Sequence, residues 1–376
     1  MKRGSFLVLT FLALVSASQP ALALSASEAQ DFLVQNVCVD DSNRALIGVA
    51  PGDPRCTRQR DIRQSDRIPY HLVARSQAEP DCSSRRVFRD NLPFERNGTI
   101  RAVGAVTIDR HPCAKTDPYI PAYLSVRAID DAYMFIMGTW TRTKDGGRYG
   151  GGVTPFCNTD PNSSERYFRN WVLAKYSDLI ADNVGYYVAE KKGAFTGLSR
   201  PGDACPAKYP TKYIAFWTRG TFRYGNGMEM DTIVSHPYSQ VGKNSFSPGA
   251  ARQMERTYWT KEFGQTRWEN WKREDFFNRK AGMSAIELAE AHFNAKDCSR
   301  PFQIQGKLTD DFQLGEVIFR DGYYSQDAMD LKTGENHRWI MVNCQETTGI
   351  MTPDDPSGDP FPDFHAGGSQ FWDFWK

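Results

Sequence analysis

Two short segments of this sequence hold acid–base residue types at strand spacing. In Asn226-Gly-Met-Glu-Met-Asp-Thr-Ile-Val-Ser-His236, Glu229 and Asp231 stand two residues apart. In an extended strand that spacing puts both carboxylates on one face, about 7 Å apart. Paired carboxylates suit glycosidic bond cleavage, one as nucleophile or base and the other tuning its charge. The second segment is Phe319-Arg-Asp-Gly-Tyr-Tyr-Ser-Gln326. Taken as one strand, it sets Arg320, Gly322, Tyr324 and Gln326 on a common face. Tyr324 or His236 can take or give a proton. Arg320 and Gln326 can neutralise a substrate carboxylate and so acidify the neighbouring C–H. That set fits β-elimination on a uronate-containing glycan. Trp268 and Trp271 add rings on which sugars could stack.

Each segment also resembles part of a known family. Glu229-Met-Asp231 resembles the start of the E-x-D-x-x-E motif of jelly-roll glycoside hydrolases such as the laminarinase-like family. That family's final Glu is its acid/base, and Val234 holds the matching position here. The 319–326 segment is similar to the F-K-x-G-x-Y-x-Q strand of jelly-roll alginate lyases. It matches at Phe319, Gly322, Tyr324 and Gln326, with Arg320 in place of Lys. The resemblance implies that Tyr324 and Gln326 line a cleft and that Arg320 helps to hold an acidic sugar. The lyases' early R-x-E-x-R strand is not found. Their Q-I-H strand has a loose echo in Ile233-Val-Ser-His236. The two resemblances imply different reactions on the same class of substrate, a polysaccharide.

Other chemistries lack their signatures. Neither H-E-x-x-H nor G-x-S-x-G occurs, so zincin and nucleophile-elbow readings have no support. The glycine-rich stretch Lys144–Gly152 runs into Val153-Thr154-Pro155. A phosphate-cradling loop would end in Gly-Lys-Ser/Thr instead. No C-x-x-C is present, and no cysteine pair has zinc-knuckle spacing. No metal and no cofactor is expected. The formal charge is +1, with no long basic run, so nothing calls for nucleic acid as a partner.

The elements that must position these residues begin after an export signal. Lys2 and Arg3 precede an apolar run, Phe6 to Val15, and Ala21-Leu22-Ala23 is an A-x-A cleavage pattern. The run has about half of the roughly twenty residues that a spanning helix needs. All eight cysteines follow it, which suits an oxidising compartment, secreted or periplasmic. Sequence neighbours give the simplest pairing: Cys38–Cys56, Cys82–Cys113, Cys157–Cys205 and Cys298–Cys344.

The chain divides into a signal peptide (1–23), a helix and disulfide-tied arm (24–66), a β-rich domain (67–350) and a Pro/Asp-rich tail with an aromatic end (351–376). Residues 26–37 have helical character. Asp160 and Pro161 suit the start of a second helix, with Phe168, Trp171, Val172, Tyr176, Leu179 and Ile180 on one face. Ser284 and Glu287 form a capping box for a third. Met254–Glu274 is best read as a hairpin about Gly264-Gln265, with Arg267, Glu269 and Trp271 on one side. The pattern predicts a mainly β protein of jelly-roll or β-sandwich type with two or three packing helices, stapled by disulfides. The expected activity is cleavage of an extracellular or envelope polysaccharide, with elimination ahead of hydrolysis. The alternative is a non-catalytic envelope protein that binds a glycan or a protein. The sequence leaves the oligomeric state open.

Overall fold

A computed structural model of the chain describes residues 23–75, 86–94, 104–110, 123–129, 132–142, 148–150, 172–180, 183–188, 214–239, 253–292, 298–356 and 361–366. After helix α1 (Ala26–Gln30), β1 (Asn36–Cys38) pairs with β2 (Gln59–Asp61). A first run follows: β3 (His71–Arg75), β4 (Arg86–Phe94), β5 (Gly104–Arg110), β6 (Tyr123–Ile129), β7 (Tyr133–Arg142), β8 (Arg148–Gly150) and β9 (Val172–Lys175). The second run is β10 (Val184–Val188), β11 (Ile214–Arg223), β12 (Glu229–Ser239), β13 (Gln253–Thr260) and β14 (Gly264–Arg273). Two short strands, β15 (Phe277–Asn278) and β16 (Met283–Ser284), lead into α2 (Ala285–His292). The last strands are β17 (Gly306–Thr309), β18 (Phe312–Arg320), β19 (Tyr323–Asp330) and β20 (Asn336–Met351).

The protein is mainly β, as its residue pattern predicts, and one antiparallel sheet carries most of it. Its order is β10-β11-β12-β13-β14-β20-β3-β4-β5-β6-β7-β8, with β9 on β7 and the β17-β18-β19 ribbon on β20. The long β20 joins the halves. Its start pairs with β19, its middle with β14, and its end with β3. Since β17 also approaches β10, the strands from β10 through β14, β20, β19 and β18 to β17 curl into a nearly closed barrel. Its inner face buries Phe216, Val234, Met254, Tyr258, Trp271, Trp339 and Met341. The outer face of β11–β13 buries Ala215, Trp217, Ile233 and Trp259 against β6, β7, β9 and the N-terminal arm. The two halves of the sheet thus enclose a core as sandwich layers do.

Three local expectations hold. The Ser284–Glu287 capping box starts α2, with Ser284 Oγ accepting from the Glu287 N–H and the Ser284 N–H donating to Glu287. β13 and β14 form the hairpin, and Arg267, Glu269 and Trp271 share its buried side. Its turn falls at Lys261–Phe263, just ahead of the predicted place. Gly264, at φ +73°, is required there because a Cβ would lie 2.5 Å from the Asn91 side chain. Disulfides join Cys38 to Cys56 and Cys298 to Cys344. The other two proposed pairings lie outside the described residues.

Two helix expectations are corrected. Residues 172–175 form β9, and Tyr176–Asp178 only a single 3-10 turn. Val172, Leu173 and Ala174 are all buried, so this apolar run is covered on both faces, a pattern that periodicity alone does not separate from a helix. The Asp160 and Pro161 start lies outside the described residues. The N-terminal helix stops at Gln30, and Asn36–Cys38 extends to pair with Gln59–Asp61 beside the Cys38–Cys56 link.

Candidate functional site

Glu229 and Asp231 do share a face of β12, the outer one. Arg219 holds Asp231 at 2.6 Å, and Arg223 lies 3.8 Å from Glu229. His236 falls on the opposite, inner face, because it stands five positions after Asp231 and side chains alternate. The one-strand reading of 319–326 is corrected. Asp321 and Gly322 adopt φ of 55° and 91° and reverse the chain between β18 and β19. Asp-Gly with both residues at positive φ is a strong signal for a two-residue hairpin turn. Arg320 therefore pairs with Tyr323, and Phe319 with Tyr324. The Arg320 side chain is 81% exposed at the turn, beside Asp321, and is not aligned with Gln326.

What does converge is a different subset. His236, Tyr324, Gln326 and Trp271 all lie on the inner face of the barrel, and His236, Gln326 and Trp271 are fully buried. Tyr324 packs on Phe319 with ring centroids 4.8 Å apart, and burial raises its pKa. Gln326 donates from Nε2 to the Ile304 and Gly315 carbonyls, at 2.8 Å each. Its Oε1 accepts from Arg256 Nη2. Trp268 sits on the other side of β14, half-buried, and donates to Glu255 at 3.0 Å.

Arg256 is the residue that sequence reasoning missed. It is completely buried, with its guanidinium 4.6 Å from the centre of the Trp271 ring. Its Nε and Nη1 have no hydrogen-bond partner among the described residues. The β12–β13 register, Ser235↔Thr257 and Tyr238↔Met254, sets Arg256 beside His236. Burial, and next the Arg256 charge, hold the His236 pKa well below its ordinary value, which favours the neutral imidazole. One sequence signal could have found Arg256: it alternates with Met254 and Tyr258, a charge at a core position of a strand.

Beside it lies a self-sufficient ionic network. Glu269 stands directly across the ladder from Arg256 but accepts from the Tyr258 hydroxyl at 2.6 Å, Arg267 Nε at 2.8 Å and Trp271 Nε1 at 2.8 Å. Glu346 accepts from Arg267 Nη1, from the Gly225 N–H at 2.7 Å, and from the Ser299 N–H and hydroxyl at 3.0 and 2.6 Å. Burial alone would weaken the Arg267 charge, but the attraction of Glu269, Tyr258 and Glu346 outweighs it and raises the pKa. Both carboxylates act only as acceptors.

On the outer surface near Asp231, Asp31 has its pKa raised to about 6, by burial first and by Asp61 next. Asp61 is raised too, by burial against the opposing Gln30 amide and Arg60. A raised carboxyl pKa means that folding favours the protonated form. The favourable contribution is complete below the unfolded value near pH 4 and disappears as pH rises through about 6. Asp31→Asn mimics the protonated group. Its thermal midpoint should match the wild type near pH 4 and exceed it at pH 7.5. An equal gap at both pH values would contradict this assignment.

Among the described residues, no group of three or more His, Cys, Asp or Glu side chains could hold a metal ion, and no helix is long and apolar enough to cross a membrane. Comparison of the chain with protein-family models, curated proteins and solved structures returns no match.

Proposed function

We propose that this chain is an exported, non-catalytic carbohydrate-binding protein whose ligand is held inside the β10–β20 barrel. The observation that carries the reading is the convergence of Gln326, His236, Trp271 and Tyr324 with Arg256 on one inner face. Aromatic rings with a few polar groups among them are the lining that small-molecule sites use. Export is supported by the Lys2-Arg3 start, the Phe6–Val15 run and Ala21-Leu22-Ala23, and by the two disulfides.

Binding is favoured over cleavage by how the carboxyl groups are used. Acid–base catalysis needs a group free to exchange a proton with substrate. Inside the barrel, Glu269 and Glu346 spend their oxygens on neighbouring donors. Glu229 and Asp231 lie on the other face of β12, against arginines. Arg320, the cation expected to hold a uronate, stands at an exposed turn. The test is incubation of the purified mature protein with a panel of acidic and neutral polysaccharides and their oligomers. The expected result is saturable binding of a short oligomer or single sugar, with neither reducing ends nor near-ultraviolet absorption of an unsaturated sugar appearing. Formation of either product would overturn the reading.

A further inference from the structure

We infer that His71 is a proton-operated clasp: with both ring nitrogens protonated it locks the segment 361–366 onto the sheet, and loss of one proton as pH rises releases that segment. His71 and Asp90 are both fully buried, on the neighbouring strands β3 and β4. The pair belongs to the first run of strands, outside the barrel. His71 Nδ1 lies 3.0 Å from each Asp90 carboxyl oxygen. His71 Nε2 lies 2.8 Å from the carbonyl oxygen of the buried Pro362.

Proton counting makes this a switch. A neutral imidazole has one N–H and one lone pair, whereas a carbonyl oxygen and an ionised carboxylate only accept. Both contacts are hydrogen bonds only when both ring nitrogens carry a proton. The even approach to the two Asp90 oxygens is that of a carboxylate accepting, so imidazolium and carboxylate form a neutral pair. Removing one proton turns a lone pair toward either Asp90 or the Pro362 oxygen, in a buried site where that loss is costly.

The remaining ties of the segment are modest. The Phe364 carbonyl accepts from the Ile68 N–H, and the Ala366 N–H donates to the Asp66 carbonyl. The Arg67–Asp363 pair is more than half exposed and adds little. Phe361 packs on Val73, Phe88 and Met351. The rings of Phe361, Phe88 and Phe364 surround His71 at 4.8, 5.4 and 6.1 Å. Opening therefore uncovers an apolar patch where β3, β4 and β20 meet. Other titratable or charged groups described on the packed elements are engaged elsewhere or exposed. Arg89 donates to Gln345, the Tyr70 hydroxyl to the Asn36 carbonyl, Arg67 to Asp363 and Arg60 to Asp66, while His365 is exposed.

Hydrogen exchange of the disulfide-intact mature protein, corrected for the intrinsic effect of pH on exchange, tests the clasp from about pH 5 to about pH 9. Protection of the Ile68 and Ala366 N–H groups should fall roughly tenfold or more as pH rises. Asp90→Asn should keep the protection and make it independent of pH. Its carboxamide can donate to a neutral ring at Nδ1, which leaves the ring N–H for Pro362. His365 and the Arg67–Asp363 pair persist in this variant, so a pH dependence owed to them would survive there and overturn the inference. Constant protection in the wild type overturns it too, as does a segment that opens at every pH in Asp90→Asn. If Asp90→Asn proves unfolded by circular dichroism, nitrogen NMR of the wild-type His71 ring decides. Two protonated nitrogens at about pH 5, one of which loses its proton together with the protection, support the clasp. A ring with a single N–H at that pH overturns it.

Discussion

Glu346→Ala is expected to cost about 3–5 kcal/mol of unfolding free energy. Glu346 is 2% exposed and accepts four hydrogen bonds, from Arg267, Gly225 and both donors of Ser299. Truncation leaves Glu269 as the one carboxylate paired with the buried Arg267 guanidinium among the described residues and orphans the Gly225 and Ser299 N–H groups. It also removes the tie that holds residue 299 to β20. A domain of ordinary stability has about 5–15 kcal/mol to lose, so the variant should stand close to unfolding at physiological temperature. Urea unfolding followed by tryptophan fluorescence gives the difference directly. A loss below about 1 kcal/mol would mean that water replaces the carboxylate and that the network is not closed. Pairing Arg267→Met with Glu346→Leu should not recover the loss, because it leaves the buried Glu269 carboxylate without its cation.

Removing Cys298–Cys344 by double serine substitution should cost about 4 kcal/mol, and removing Cys38–Cys56 about 3 kcal/mol. The difference follows from the chain each closes, with sequence separations of 46 and 18 residues. A longer closed loop removes more entropy from the unfolded state. The larger link also carries a second role. It pins residue 298 beside the Ser299–Glu346 bonds and the Phe302 N–H, which donates to the Tyr258 hydroxyl at 3.0 Å. The double-cysteine variant should therefore be non-additive with Glu346→Ala, since both loosen one segment. Thermal midpoints of the oxidised variants check the order. If the Cys38–Cys56 variant proved the less stable of the two, the loop-entropy account would fall.

Much of the local structure was legible in the residues. The hairpin about Gly264 could be read because a glycine interrupts what might otherwise be a striped helix. The α2 start was legible because a capping box is a local hydrogen-bonding pattern. The misreadings have equally local causes. Val172-Leu-Ala174 is apolar without period, so its strand state depends on what covers both sides. In 319–326 the family-like spacing runs across Asp321-Gly322, although that dipeptide is itself a turn signal.

The candidate site divides along the same line. By itself the sequence determined a mainly β, disulfide-stapled protein, the parity that sets Glu229 with Asp231, and the shared face of Arg267, Glu269 and Trp271. These follow from alternation and backbone preference, which act over a few residues. Only the tertiary structure decided that His236 and Gln326 meet at Arg256 while Glu229, Asp231 and Arg320 stay outside. That outcome depends on which strands become neighbours and which face of the curled sheet turns inward. Such long-range pairings are fixed by burial summed over the whole barrel, a quantity that no short segment carries.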